Sequence, residues 1–139
     1  MADTTSNDLG WLLDEQLGSV PGVRYAVLMS GDGLLKARTK TIGQDDGEKF
    51  AALTAALRAA GKAWDEFTGG QSLRQVLIES NQCFGLTTSA GDMTMLSVCT
   101  DPDADIGLIS HQMAQLAVRL GTQLGTAERR TSVESGSPA

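Results

Sequence analysis

Two glycines and a lysine stand close together in the segment SGDGLLK, residues 30–36, directly after the apolar run VRYAVLM. These residue types build phosphate-binding loops. A P-loop requires G-x-x-x-x-G-K-[ST], and a dinucleotide loop requires G-x-G-x-x-G at the start of a helix. Lys36 stands where both patterns need their last glycine, and a β-type segment follows. The spacing therefore predicts a tight β-hairpin turn and no phosphate site.

Three alternating aspartates, Asp101, Asp103 and Asp105, lie in the segment DPDADIGLISHQ and match the first half of a calcium-binding loop. Such a loop needs glycine at its sixth position and a bidentate glutamate at its twelfth. The sequence has Ile106 and Gln112 there. We therefore expect these acids to cap the following helix and to complement its dipole.

The remaining candidates for chemistry are one histidine, His111, and two cysteines, Cys83 and Cys99. A lone histidine without a CxxC pair predicts neither a metal site nor a catalytic group. A three-residue hairpin loop after Ser89 would pair that residue with Met93 and would set Cys83 opposite Cys99. In a reducing compartment the pair is expected to remain as thiols, with a redox role as the alternative. No catalytic, cofactor-binding or metal-binding residue is predicted.

Charge and hydropathy exclude several classes of partner. The chain has 139 residues, a net charge of −6 and a pI near 4.6, which disfavours nucleic acid and anionic lipid as partners. The N-terminus has no signal-peptide pattern, and no apolar run approaches the ~20 residues of a membrane span. We expect a cytoplasmic protein without direct membrane insertion, which reaches a membrane only through a partner.

Hydrophobic periodicity and breakers predict the element order α-β-β-α-β-β-β-α, an α+β fold built on an antiparallel sheet. The first helix should bury Leu9, Leu12, Leu13, Leu17 and Val20, and the last helix Ile106, Ile109, Met113, Leu116, Leu120 and Leu124. Composition divides the chain into a flexible N-terminus (1–7), one domain (8–125) and a disordered polar tail (126–139).

The long middle helix carries two apolar stripes. One is bulky and is expected to cover the sheet; it consists of Phe50, Leu53, Leu57, Ala60, Trp64 and Phe67. The other contains alanine alone: Ala52, Ala55, Ala56, Ala59 and Ala63. Alanine can serve simply as the best helix former. Alternatively, its small side chain admits a second helix at close range, and a two-fold interface would use the same stripe twice. The second interpretation predicts a homodimer.

The strand after this helix, in the segment LRQVLIES, contains no proline or evident bulge. Natural edge strands are usually protected against pairing, so an unprotected edge indicates one that is used. Val76 and Ile78 are therefore added to the predicted dimer interface.

These segments together resemble the Roadblock/dynein light chain family. The likeness is carried by VPGVRYAVLMSGDGLLKA after the WLLDEQL helix, by the long alanine-rich helix, and by CFGLTTSAGDMTMLSVCTDPDADIGLI. It extends from about Leu9 to Leu124 and is strongest toward the bacterial branch, which includes actinobacterial proteins encoded beside a sensor kinase and a Ras-like GTPase.

The resemblance implies a five-stranded antiparallel sheet with the first and last helices on one face and the long helix on the other. It also implies a non-enzymatic homodimer, joined through the long helix and the following strand, that binds and regulates a Ras-like small GTPase within a sensor-kinase system. The alternative is a small-molecule-sensing or general scaffold domain without a GTPase partner.

Trp11 lies off the apolar face of the first helix. Tryptophan is enriched where partners bind, which makes Trp11 a candidate for partner contact. A residue covered by the chain's own loops is the alternative interpretation.

Overall fold

The computed structural model describes residues 2–91 and 93–135, with side chains described for residues 8–91 and 93–122. The helices are α1 (Ala2–Leu13), which a π-helical turn (Asp14–Gly18) extends, α2 (Gln44–Phe67) and α3 (Ile106–Ser135). The strands are β1 (Val23–Ser30), β2 (Leu35–Arg38), β3 (Gln75–Glu79), β4 (Phe84–Ser89) and β5 (Thr94–Thr100).

The five strands form one antiparallel sheet in the order β2-β1-β5-β4-β3. The predicted α+β class and element order are confirmed. The central position of β5 explains its complete burial, whereas β2 and β3 form the two edges. Among the residues that the structure describes, no helix combines the length and the apolar character that a bilayer span requires.

The predicted register of the last hairpin is wrong by two residues. Ser89 pairs with Met95, so Gly85 and not Cys83 stands opposite Cys99. The difference comes from the turn. The Ala90 N–H donates to the Thr94 carbonyl, which adds a further pair before the chain reverses. A two-residue shift keeps the same side chains on the same face, so the hydrophobic pattern alone could not detect it.

One face of the sheet packs against α1 and α3. Its buried core contains the leucines predicted for α1 and Ile109, Met113, Leu116 and Leu120 of α3. The opposite face is covered by α2, around a smaller core of Val27, Met29, Ile42, Ala51 and Met95. The layer arrangement implied by the family resemblance, with two helices on one face and one on the other, is confirmed.

Helix α2 covers the sheet with small residues, not with its bulky stripe. Gly47, Ala51 and Thr54 are buried against the sheet, and Gly61 follows on the same face. A Cβ at Gly47 would stand 3.1 Å from the Leu35 Cδ2 atom. The helix therefore lies close to the strands, and most of its bulky stripe turns outward. The prediction that this stripe covers the sheet holds for Phe50, whose ring packs 5.2 Å from that of Tyr25, and is wrong for Leu53, Leu57, Trp64 and Phe67.

The segment SGDGLLK forms the predicted hairpin turn between β1 and β2. The Ser30 N–H donates to the Leu34 carbonyl at 2.9 Å, and the Gly33 N–H donates to the Ser30 carbonyl at 3.0 Å. Gly33 has φ +90°, a conformation that L side chains rarely adopt. The Ser30 hydroxyl hydrogen-bonds the Asp32 carboxylate and lowers its pKa.

Both terminal helices extend further than the sequence predicted, since α1 begins at Ala2 and α3 ends at Ser135. The predicted division into residues 1–7, 8–125 and 126–139 stays a prediction. Met1 and residues 136–139 lie outside the described residues.

Candidate interaction surfaces

Two of the three acids that resembled a calcium loop, Asp101 and Asp105, have structural partners. Asp105 caps α3, because its Oδ1 atom accepts the Leu108 N–H at 3.1 Å. Asp101 forms an ion pair with Arg24 at 2.8 Å, and this hydrogen bond raises the pKa of Arg24. In residues 2–91 and 93–135, no group of three or more His, Cys, Asp or Glu side chains could hold a metal ion. His111 is exposed.

Buried polar groups in the described residues are all satisfied: no buried side-chain nitrogen or oxygen lacks a hydrogen-bond partner there. Thr87 and Ser97, for example, bond to each other at 2.9 Å inside the sheet. Such orphaned groups would have indicated a small-molecule site. The exposed surfaces are therefore the better candidates for function.

The main exposed apolar surface in the described part of the chain is the outer face of α2, defined here by its alanines and its bulky residues. The alanines are Ala52, Ala56, Ala59 and Ala63, and the bulky residues are Leu53, Leu57, Trp64 and Phe67. Trp64 is 73% exposed and Phe67 is 91% exposed. Ala55, also predicted for the interface, is half-buried beside Gly33 of the hairpin turn. Exposed apolar surfaces of this kind are typical of interaction sites.

The edge strand β3 continues this surface. It pairs with β4 on one side, and its other backbone edge has no neighbouring strand in the described sheet. Leu77 is 51% exposed and Ile78 is 39% exposed, whereas Val76 is half-buried against α2. The structure thus confirms β3 as an edge strand that carries exposed apolar residues.

Trp11 lies in a different place. It is exposed on α1 and lines a groove of about 420 Å³ beside the edge strand β2. This β2 groove is lined by Gly10, Trp11, Asp14, Leu35, Lys36, Ala37, Arg38, Lys40 and Gln44. Trp11 and the outer face of α2 therefore belong to separate surfaces.

The two cysteines are free thiols, with Cys99 buried and Cys83 half-buried. Tyr25 pairs with Cys99 across β1 and β5. Burial, together with a hydrogen bond to Cys99, raises the pKa of Tyr25 to about 12. Burial also raises the pKa of the Cys99 thiol. A thiol with a raised pKa is a poor nucleophile at neutral pH, so this cluster has the character of core packing.

A family model for the Roadblock/LC7 domain matches residues 9–100 of this chain. The chain belongs to the Roadblock/LC7 family. The match covers both hairpins and the long helix, which are the segments that carried the resemblance. A comparison with curated proteins finds no match.

Solved structures show the same roadblock fold. A Roadblock/LC7 domain from Streptomyces avermitilis is 30% identical over 83% of this chain and 96% of its own, with a TM-score of 0.76. MglB from Myxococcus xanthus is 19% identical over 88% and 97%, with a TM-score of 0.75. The gliding protein MglB from Thermus thermophilus is 20% identical over 84% and 88%, with a TM-score of 0.73.

Sequence reasoning missed the outward-facing half of the roadblock domain's long helix, because it assigned Trp64 and Phe67 to the core. A usable signal was present in Gly47 and Gly61. Glycine is costly inside a helix, so two glycines and Thr54 at spacings of seven residues mark a face that needs close approach. The basic lining of the β2 groove was also missed, since Lys36, Arg38 and Lys40 look scattered in the sequence.

Proposed function

We propose that this roadblock domain is a homodimeric, non-enzymatic module that binds and regulates a Ras-like small GTPase. The observation that carries the proposal is the outer face of α2, which is apolar, exposed and continuous with the free edge of β3. Family membership supports it, because the resemblance implies binding to GTPases of this class.

The predicted interface residues fit a two-fold contact. Ala52, Ala56, Ala59 and Ala63 allow two copies of α2 to approach closely, while Trp64 and Phe67 supply apolar area beside them. Val76 and Ile78 lie on the adjoining edge strand, where a second β3 could pair. Ala55 is half-buried within its own chain and belongs to the rim of this interface.

A regulatory role, as opposed to an enzymatic one, is supported by how the polar groups are used. Asp105 caps a helix, Asp101 pairs with Arg24, and the Cys99 thiol is buried. We therefore propose that nucleotide chemistry takes place on the GTPase, within the cytoplasm, and that any sensor-kinase complex or membrane is reached through that partner.

Affinity purification of the tagged chain from its native cells, followed by mass spectrometry, tests the proposal. A Ras-like GTPase should be captured, and the purified GTPase should bind the dimer with different affinities in its GDP and GTP-analogue forms. Hydrolysis and exchange rates with and without the dimer then distinguish activation, exchange and scaffolding. Failure to capture or to bind such a GTPase contradicts the proposal.

A small-molecule-sensing domain is the second candidate, favoured by a cavity of about 330 Å³ between β1 and the first half of α2. Tyr25, Ile42, Phe50 and Leu53 supply its apolar walls, and Asp46 and Lys49 supply charge. This volume lies within the range of ligand sites. Native mass spectrometry of the purified chain would reveal a bound molecule, and its absence would disfavour this candidate.

A further inference from the structure

The two cysteines meet on one face of the sheet, beside the turn that joins β3 and β4. Cys99 of β5 pairs with Gly85 of β4, and Cys83 lies two residues before Gly85, on the same face. A hydrogen bond joins the Cys83 and Cys99 thiols. The fold therefore brings together two free thiols that are 16 positions apart in the sequence.

Gly85 leaves space beside both sulfur atoms. A Cβ at Gly85 would have the Ile78 Cβ atom as its nearest neighbour, at 3.9 Å, so a larger residue there would fill this space. Diagonal positions of an antiparallel pair lie about 7–8 Å apart, slightly more than the ~4.4–6.8 Å between the Cα atoms of a disulfide. A bond between the two sulfurs therefore requires a small movement of one backbone segment.

Cys83 lies where such a movement is possible. It precedes β4 and closes a turn in which the Ser80 N–H donates to the Cys83 carbonyl at 2.9 Å and the Cys83 N–H donates to the Ser80 Oγ atom at 3.3 Å. Cys99, in contrast, belongs to the central strand β5 and is buried. Exposed hydrogen bonds of a turn open more readily than those of a central strand, so the turn can carry Cys83 toward Cys99.

The two thiols differ in their access to a dissolved oxidant. Cys83 is half-buried, whereas Cys99 is 5% exposed. Burial raises the pKa of the Cys99 thiol, which makes it a poor nucleophile toward reagents in solution. An oxidant therefore meets Cys83 first. Cys99 needs to react only with a sulfur atom that it already contacts, and this proximity compensates for its weak nucleophilicity.

We propose that Cys83 is an oxidation site for hydroperoxides and that Cys99 is its resolving thiol. The Cys83 thiol takes one oxygen atom from the hydroperoxide, which gives a sulfenic acid and releases an alcohol, or water from hydrogen peroxide. The Cys99 sulfur then attacks the Cys83 sulfur, the Cys99 proton and the sulfenic hydroxyl leave as water, and a disulfide forms. A dithiol reductant restores both thiols by exchange and is itself oxidised to a disulfide.

The disulfide would tie the turn that follows β3 to the central strand of the sheet. In a reducing compartment it would be transient, which is typical of redox sensing. This site goes beyond the proposed GTPase function and does not depend on it, because both thiols belong to one chain. Either proposal can therefore fail while the other holds.

The test treats the folded full-length chain with hydrogen peroxide and then alkylates the remaining thiols in urea. Intact mass should show the loss of two hydrogens and no alkylation, and dithiothreitol should restore two alkylatable thiols. Dimedone, a reagent that traps sulfenic acids, should label Cys83 and not Cys99 when it is present during the oxidation.

The matched control is Cys83→Ser with Gln82→Cys, which moves the thiol by one residue to an exposed position of the same turn. It should form the disulfide at least about tenfold more slowly, because the moved thiol loses its contact with Cys99. The proposal is overturned if both cysteines remain alkylatable after peroxide, if Cys83 becomes a sulfinic acid while Cys99 stays free, if the disulfide joins two chains, or if the control reacts equally fast.

Discussion

Gly61 of α2 lies directly against Val76 of β3: a Cβ atom at Gly61 would stand 3.2 Å from the Val76 Cγ2 atom. The same position would be 3.2 Å from the Leu73 Cδ2 atom. This contact fixes the distance between the long helix and the edge strand, which are the two elements of the proposed dimer interface. A side chain at position 61 would press on both of these side chains, which favours glycine there despite its low helix propensity.

Replacing Gly61 with valine should separate α2 from β3. We expect Gly61→Val to lower the free energy of unfolding by about 1–3 kcal/mol, because the added atoms overpack a contact that is already tight. Urea denaturation measures this. Gly107→Val is the control: a Cβ there meets only the Asp105 Oδ1 atom at 3.5 Å, an ordinary contact. Equal effects at the two positions would contradict the packing argument.

The double substitution Ala56→Glu and Ala59→Glu should convert the dimer into a monomer. Both alanines are exposed in the single chain, so the fold should tolerate the change. Across a two-fold axis, however, the new carboxylates would meet their own copies and would be desolvated. Light scattering after gel filtration measures the mass. Ala114→Glu with Gln115→Glu adds the same kind of charge on an exposed part of α3 and should leave the mass unchanged. A dimer that survives the α2 substitutions refutes this interface.

Trp64→Ser with Phe67→Ser tests whether these side chains serve association or the core. Because both are exposed, the monomer should lose little stability, whereas the dimer should lose its bulky contacts. We expect the wild-type Tm to rise with protein concentration and the variant Tm to be independent of it. Leu116→Ala, at a fully buried position, should cost about 2–5 kcal/mol at any concentration. A similar loss in the serine variant at high dilution would place Trp64 and Phe67 in the core.

Tyr25 should make folding stability fall at alkaline pH. Its pKa is raised from 10.0 to about 12, chiefly by burial, so the folded state resists ionisation. Folding favours the neutral form of Tyr25. Its contribution to the free energy of unfolding is therefore complete below pH 10 and is lost as the pH rises through about 12. Tyr25→Phe should reduce the fall in the free energy of unfolding between pH 10 and about pH 12.

The measurement is direct because Tyr25 is the only tyrosine. Near-ultraviolet absorbance of tyrosinate gives its titration in the folded chain, and denaturant curves at several pH values give the stability. Lysines also titrate in this range, so the informative quantity is the wild-type curve minus that of Tyr25→Phe. A midpoint near 10 in the folded chain would contradict the effect of burial.

The fold was largely predictable from the sequence, because its elements are strongly patterned. Leucines at helical spacing placed α1 and α3 against the sheet, and Gly33 with its neighbours marked the first hairpin. The second hairpin was placed correctly but paired incorrectly. Its register depends on the turn between Ala90 and Thr94, and a shift of two residues leaves every side chain on its original face.

The candidate surfaces were less predictable, for a physical reason. Periodicity separates the faces of a helix but does not say which face meets the sheet. On α2 the bulky stripe would be the natural core, yet Gly47, Ala51 and Thr54 take that place and Trp64 faces outward. The β2 groove depends on the spatial convergence of α1, β2 and the start of α2, which no local pattern encodes.

The two edges of the sheet differ in how they are protected, and this difference limits how many chains can join. Strand β3 has an edge with no neighbouring strand in the described sheet. Helix α1 lies against the edge of β2, since a Cβ at Gly10 would stand 3.4 Å from the Arg38 carbonyl oxygen and the Asp14 carboxylate accepts the Lys40 N–H. In the proposed dimer, pairing through β3 would join two sheets into one of ten strands with a protected β2 strand at each end, so the addition of chains by strand pairing would stop at two.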